Sequence, residues 1–466
     1  MIADLKPYAD YKDSGSSWLG KVPAHWQIVR SKRLFTSRKE LARPEDVQLS
    51  ATQAYGVIPQ SLYEERTGYR VVKISMHLDK RRHVERDDFI ISMRSFQGGL
   101  ERAWSTGAIR SSYVVLKPDA QVDAAYFRHL FKSDSYIAAL RATGDFIRDG
   151  QDLNYSNFCG VDLPLMPPVE QAAIGRFLDW ANSRMERAIR AKRKIIAMLT
   201  EQRQAIINHA ITRGISEVVH LSPSGNSLLE HIPAHWELSA LRRRWQVLDC
   251  KHLTVPFVED GIPLASVVQV RNFTLDLGSS KRTKPEWFRQ LIEGDRRPKR
   301  GDLIYCRNAS VGSCAIVETD LEFAMGQDVC LIRSREQNQR FLNYVLHSPF
   351  MKHQLDLLLV GSTFKRINVS DIKALTIPVP PRAEQDSICA YLDSELSRFE
   401  VVTSRIAREI ELLREYRTRL IAEVVTGKLD VREAVQSLPD EEVTDLLDEP
   451  ADEADDAGLV DEEAEA

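Results

Sequence analysis

The 466-residue sequence has no apolar run near the ~18 residues that a membrane span requires. Its opening MIADLKPYAD also lacks the hydrophobic core of a signal peptide, so the cytoplasm is the expected compartment. Cysteine is scarce, with six residues at 159, 250, 306, 314, 330 and 389 and no Cys-x-x-Cys pair. That spacing suggests neither a zinc site nor a disulfide framework; reduced, mostly buried thiols are expected. Reaction motifs are missing too. Gly15-x-x-x-x-Gly20-Lys21 has the outline of a phosphate-binding loop, but Val22 stands where Ser or Thr would hold magnesium. His231 and His235 have helical spacing, but Pro233 lies between them, which argues against a shared metal. Neither Gly-x-Ser-x-Gly nor His-Glu-x-x-His occurs. The Pro-Pro pairs at 167–168 and 380–381 lack the Asn or Asp before and the aromatic after that an amino-methyltransferase would carry. Met166 and Val379 precede them, and Val169 and Arg382 follow. No catalytic residue and no metal ligand is expected.

Negative charge is concentrated at one end of the sequence. Residues 440–466 hold fourteen Asp and Glu with no Lys or Arg, a low-complexity acidic tail expected to be disordered. Removing those fourteen charges from the net −4 leaves +10 on residues 1–439. Clusters such as Lys80-Arg81-Arg82, Arg242-Arg243-Arg244 and Arg296-Arg297-Pro298-Lys299-Arg300 suit a polyanionic partner. The length exceeds a single core, and 43% hydrophobic with 28% charged residues is the balance of a globular chain.

The sequence is written twice. Ser14-Gly15-Ser16-Ser17-Trp18-Leu19 leads to Val22-Pro23-Ala24-His25-Trp26; 210 residues later Ser224-Gly225-Asn226-Ser227-Leu228-Leu229 leads to Ile232-Pro233-Ala234-His235-Trp236. DFIISMRS (88–95) is echoed by DLIYCRNA (302–309), Asn154 and Phe158 by Asn368 and Ile372, and PLMPPVEQ (164–171) by PVPPRAEQ (378–385). Beyond Glu-Gln the offset is 214: Phe177-Leu178-Asp179 against Tyr391-Leu392-Asp393, and Leu199, Arg203, Ile207 and Thr212 against Leu413, Arg417, Ile421 and Thr426. Each copy is a mixed stretch of about 140 residues and a helical stretch of about 45. The mixed parts carry short β-like runs (Tyr69–Ile74, Phe89–Met93, Tyr113–Leu116; Leu303–Cys306, Ala315–Val317, Val329–Ile332) and helical patches around Ala124–Leu140 and Arg340–Leu358. Without βαβ alternation this is an α+β pattern.

Pro-Pro-x-x-Glu-Gln marks a helix start, where proline is tolerated and a carboxylate complements the dipole. Apolar residues then recur with an average period of 3.5, the mark of a coiled-coil seam. In the first copy they are Ile174, Leu178, Ala181, Met185, Ala188, Ile195, Leu199 and Ile206; in the second Ile388, Leu392, Phe399, Val402, Ile406, Leu413, Tyr416 and Leu420. Lys192, Gln202, Glu395 and Glu409 interrupt the stripes. Two equivalent helices imply a pseudo-twofold axis and an antiparallel pair of rods roughly 60 Å long. His25, Trp26, His235 and Trp236 read as structural anchors. Closing the repeat into a ring requires residues 1–20 to pack near Thr426-Gly427-Lys428.

In its order of mixed domain, long helix, mixed domain and long helix, the chain closely resembles the specificity subunit of Type I restriction–modification enzymes. DSGSSWLGKVPAHW (13–26), PPVEQAAIGRFLD (167–179), LTEQRQAIINHAITRG (199–214), PPRAEQDSICAYLD (380–393) and LLREYRTRLIAEVVTGKLD (412–430) carry the likeness over about residues 13–435. The acidic tail departs from that pattern. The resemblance implies target recognition domains at 1–165 and 215–378, helical spacers at 166–214 and 379–436, and the tail at 437–466. It implies a non-catalytic protein that reads a bipartite, asymmetric DNA site and docks two methyltransferase subunits, with restriction subunits joining. S-adenosylmethionine, ATP and magnesium would belong to those partners. The rival reading is a non-DNA scaffold presenting two protein-binding domains; the basic body argues against it.

Base readers are expected where the copies differ. In the first domain these are Arg94, Ser95, Gln97, Arg110 and Ser111; in the second, Arg271, Asn272, Arg307, Asn308, Gln327 and Lys365. Arg pairs bidentately with guanine, and Asn or Gln with adenine. Arg94 and Arg307 are taken as equivalent positions, which also suits a shared phosphate clamp.

Overall fold

The computed structural model describes residues 5–71, 80–92, 95–144, 154–216, 218–271, 273–359 and 366–439. The acidic tail and the candidates Arg94, Asn272 and Lys365 lie outside the described residues. The fold is mixed α and β, in two compact units that do not follow the chain consecutively: residues 1–192 with 408–466, and residues 193–407. Both dividing points fall inside the long helices Pro168–Arg213 and Arg382–Val425. Each unit therefore holds the first part of one helix and the last part of the other.

The first unit centres on an antiparallel sheet in the order Phe35–Arg38, Val114–Pro118, Phe89–Ile91, Glu101–Arg102. Its two central strands carry apolar runs, Phe89–Ile91 and Val114–Leu116, because both faces are covered. Phe89, Ile91 and Leu116 enter the main core; the alternate residues Ile90 and Val115 enter a smaller one with Leu49 and Val57. Phe35 anchors the main core, edge-on to Phe89 at 5.7 Å and Phe127 at 5.2 Å. The helices Ala124–Phe131 and Asp134–Arg141 cover that face, capped by the Asp123 and Ser133 side chains. The run Tyr69–Ile74 does not start as a strand. The helix Gln60–Thr67 ends at left-handed Gly68, Tyr69 is exposed, and 72–74 lie outside the described residues.

The N-terminal segment meets the far end of the chain inside this unit, as the repeat implies. Asp430 N donates to Lys6 O at 2.8 Å, the Tyr11 hydroxyl donates to Lys428 O at 3.1 Å, and the Arg432 guanidinium lies 4.9 Å from the Tyr8 ring centre. The glycines of the apparent phosphate-binding loop are turn residues: Gly15 and Gly20 have φ of 71° and 64° beside the hairpin Tyr11–Asp13 and Lys21–Pro23.

The second unit repeats the topology with Gln246–Asp249, Val329–Arg333, Leu303–Cys306 and Cys314–Ile316. Leu303, Tyr305 and Ile332 face one core; Ile304, Cys306 and Leu331 face the other. The helices Gln339–Leu346 and Pro349–Leu359 correspond to the first unit's pair. All six cysteines are free, and five are buried.

The long helices pack together in each unit with their numbering in opposite senses. In the first unit Arg417 pairs with Glu186, and Lys192 Nζ with Glu409 Oε2 at 2.6 Å. Two of the four residues that interrupt the apolar stripes thus neutralise each other. In the second unit Arg203 pairs with Glu400 at 3.8 Å. Ile174, Leu178, Met185, Ile388, Leu392 and Leu420 are buried, but all six sit in domain cores that also hold residues such as Trp26, Phe127 and Leu342. Leu199, Ile206, Phe399, Ile406 and Leu413 are half-buried. Ile195 departs from the expected seam: it is 46% exposed, and Val402 and Tyr416 are similarly open. Two helices alone shield only the centre of a stripe, and burial is complete where the domain adds a third layer.

Candidate nucleic-acid interface

The repeated phrases build one joint in each unit. In the first, Glu170 Oε1 accepts from Trp26 Nε1 and from the Tyr8 hydroxyl, both at 2.9 Å, and Oε2 accepts from His25 Nε2 at 2.7 Å. Burial and the adjacent carboxylate push the Tyr8 pKa far up. Next door, Gln171 Oε1 accepts from Asp123 N at 2.8 Å while Nε2 donates to Met166 O and Gln121 O, both at 2.9 Å. In the second unit Glu384 Oε2 accepts from His235 at 2.8 Å and Trp236 at 3.1 Å. Gln385 Oε1 accepts from Asn338 N at 2.9 Å. Asp123 and Asn338 both cap helices. The Glu-Gln pair therefore fastens a long helix to the first strand region and to the first helix over the sheet; it is an architectural joint. His231 lies opposite Pro223 in a strand ladder, not on a helix.

Beyond the joint, antiparallel pairing brings the candidate readers to one end of each sheet. Cys306 pairs with Val329 and Asp249 with Cys330, so Asp249, Arg307, Asn308, Gln327 and Asp328 share one end. In the first unit Ile91 pairs with Val114, which brings Arg110 and Ser111 to the end where the strand Phe89–Ile91 runs out toward Ser95.

Individual side chains differ from expectation. Gln97, Ser111, Arg271 and Gln327 are exposed and Arg110 is half-buried. Ser95 is buried, its hydroxyl accepting from Ser92 N at 2.9 Å, and so acts as a turn cap. Arg307 is 4% exposed and held between Asp249 at 3.6 Å and Asp328 at 3.8 Å, with Nη2 3.2 Å from His252 Nε2. A guanidinium so enclosed between two carboxylates is a buttress. Asn308 is oriented locally: Nδ2 donates to Asp328 at 3.1 Å, and Oδ1 accepts from Ala309 N at 2.8 Å. The equivalence of Arg94 and Arg307 also fails, since counting from Asp88 and Asp302 sets Arg94 opposite Asn308. Asp302 pairs with Arg333, and Asp88 with buried Arg38 at 2.8 Å, so these aspartates brace the sheets.

Asp249, Cys250 and His252 bring ligand-type atoms within 4.8 Å of one another. Arg307 already contacts the aspartate and the histidine, and burial raises the Cys250 pKa, against the thiolate a metal needs. Sequence reasoning missed Asp328 and Arg366. Arg366 is 53% exposed by side chain and lies 3.6 Å from Asp328. Asp328 has φ of 64°, as unusual for a non-glycine residue as the 56° of Ala309.

Residues 293–412 match the family model described as the Type I restriction modification DNA specificity domain. The chain is 22% identical over 427 residues to the MjaVIII specificity subunit of Methanocaldococcus jannaschii, covering 88% of this chain and 95% of that protein. It is 21% identical over 277 residues to the EcoBI specificity subunit of Escherichia coli, covering 57% and 58%. Among solved structures, one described as the structural basis of complex assembly and conformational transition of the type I R-M system has the same fold. The TM-score is 0.61 at 17% identity, over 87% of this chain and 98% of that one. Residues 293–412 thus match the Type I DNA specificity domain, and most of the chain is similar to Type I restriction enzyme specificity subunits.

Proposed function

We propose that this protein is the non-catalytic sequence-recognition subunit of a Type I restriction–modification complex, reading a bipartite, asymmetric DNA site. The observation that carries the reading is the pair of like-built sheets, each fixed to a long helix by the same His-Trp-Glu joint but ending in different polar residues. A homodimer of identical readers demands a palindrome; two different readers on one chain select a split, non-palindromic site. Gln97, Arg110, Ser111, Arg271 and Gln327 are the proposed contacts, together with Arg94, Asn272 and Lys365.

The paired helices form a coiled-coil spacer with pseudo-twofold symmetry. Shifting by 214 and exchanging helices turns the pair Glu186–Arg417 into Glu400–Arg203, and each forms an ion pair in its own unit. The spacer fixes the distance between half-sites and docks two methyltransferase subunits; restriction subunits complete the assembly. S-adenosylmethionine, ATP and magnesium act in those subunits.

Methylation-sensitive long-read sequencing of the host genome, with the gene present and deleted, tests the function. Loss of adenine methylation from one split, asymmetric motif on deletion is the expected result. An unchanged methylome refutes it.

A further inference from the structure

The proposed DNA reading leaves open which side chain of the second domain reads a base. We infer that Arg366 is that reader and that Asp328 is the positioning residue that aims it, with Arg307 behind as a buried support. The inference rests on the DNA-reading function above.

Three chain segments converge on the Asp328 carboxylate. Arg307 and Asn308 follow the strand Leu303–Cys306, Asp328 precedes the strand Val329–Arg333, and Arg366 arrives from the segment before the helix Val369–Ala374. Backbone hydrogen bonds lock them in place: Arg307 N donates to Asp328 O at 3.0 Å, and Ile367 N donates to Arg307 O at 2.9 Å. Asn308 and Arg366 are paired as an antiparallel bridge. Asp328 Oδ2 accepts from Asn308 Nδ2 at 3.1 Å, while Oδ1 lies 3.6 Å from Arg366 Nη2 and 3.8 Å from Arg307 Nη2.

The members of this cluster differ in what they can still offer. Arg307 is buried and faces a second carboxylate, Asp249. Asn308 has its amide turned to Asp328 and to its own turn, as described above. Arg366 is more than half exposed and is drawn toward Asp328 through one terminal nitrogen. A guanidinium has five N–H donors in a planar fork, so one carboxylate partner leaves donors for the O6 and N7 edge of guanine. A carboxylate beside a base-reading arginine also raises discrimination, because the side chain is ordered before binding and loses less freedom on docking. The ligand is thus a guanine on the major-groove edge of one half-site. The positive φ of Asp328 and Ala309 holds the turn that presents the cluster.

The test uses the full chain assembled with its methyltransferase subunit. Competition binding is measured against the duplex found by methylation sequencing and against its single-base-pair variants. Arg366→Ala should relax discrimination at one guanine–cytosine pair of one half-site by about 10-fold to 100-fold, leaving the other half-site unchanged. Arg366→Lys should relax the same pair while keeping the salt dependence, since it retains charge but loses the fork. Asp328→Asn should relax that pair as well, with near-normal affinity for random duplex. Arg366 is exposed, so its variants test the reader even where Asp328→Asn disturbs the fold. Uniform weakening on every sequence, with the log–log salt slope reduced by about one, makes Arg366 a phosphate contact and overturns the inference. Unchanged discrimination in Arg366→Ala overturns it too. If the unaltered complex shows no sequence preference, the DNA-reading function itself fails and takes this inference with it.

Discussion

The joint at Glu170 should cost far more to break than its counterpart at Glu384. In the first unit, Glu170→Ala removes the acceptor of two buried donors, the Tyr8 hydroxyl and Trp26 Nε1; these residues are 5% and 0% exposed. A buried donor left without a partner costs about 1–3 kcal/mol, so two cost about 4 kcal/mol. His25 adds little, because its side chain is 41% exposed and water can replace the carboxylate. In the second unit Glu384 is itself 24% exposed and His235 55% exposed, so only one buried donor, Trp236, loses its partner, at about 1–2 kcal/mol. Urea unfolding of Glu170→Ala and Glu384→Ala, with hydrogen exchange resolved by peptide, reads both. Glu170→Ala should deprotect residues 21–26 and 168–175 and leave 232–236 unchanged. Equal losses for the two variants, or a larger loss at Glu384, would falsify the burial argument.

Four more outcomes follow from named contacts. Burial pushes the Glu101 carboxyl up to about 7 against the opposing pull of Lys132. The folded state therefore holds a proton that the unfolded chain releases near 4.5. Stability should fall by about 3 kcal/mol as pH rises from 4.5 to 7, and Glu101→Gln should flatten that part of the stability–pH curve measured by urea titration. Gly427 has φ of 73°, and a Cβ there would approach Pro23 Cδ to 2.4 Å; Gly427→Ala should lower the melting temperature of the first unit by several degrees in calorimetry. Leu199→Asp with Leu413→Asp sets unpaired carboxylates on the half-buried helix stripe and should abolish co-purification with the methyltransferase subunit; normal assembly counts against the spacer. Exchanging residues 27–160 for another reader should change one half of the methylated motif, and a change in both halves counts against independent readers.

The architecture was legible in the sequence because its signals are periodic or repeated. Residues 89–91, 303–306 and 329–332 are unbroken apolar runs within strands, and the two Pro-Pro-x-x-Glu-Gln phrases start helices as their dipole chemistry requires. The helix stripe was only partly legible. A period of 3.5 shows which residues share a face, but not what covers it, so open Ile195 and buried Ile174 look alike in sequence. The cluster at the second sheet's end was less legible still. Arg307 reads as a surface arginine in its polar context, and only the strand pairing that sets Asp249 and Asp328 beside it reveals a buttress. Arg366 stands 38 residues from Asp328, and no local pattern links them.

What the two copies share and where they differ divides the labour of the chain. Shared positions are those whose partners lie within the same unit: Glu170 with Trp26 and Glu384 with Trp236, or Gln171 and Gln385 with the capping residues Asp123 and Asn338. Each such contact fixes a sheet against a long helix, and a loose joint would blur the position of every side chain at the sheet's end. Discrimination by a bidentate contact depends on placement to a fraction of an ångström, so a stiff joint is a condition for reading at all. The sheet ends are free to differ because, among the described residues, no shared contact passes through them. Both copies brace the aspartate before the central strand, Asp88 with buried Arg38 and Asp302 with Arg333, and the second also sets a cluster around Asp328. A chain built this way can acquire a new half-site by changing one sheet end, and the opposite unit's joint and reader need not respond.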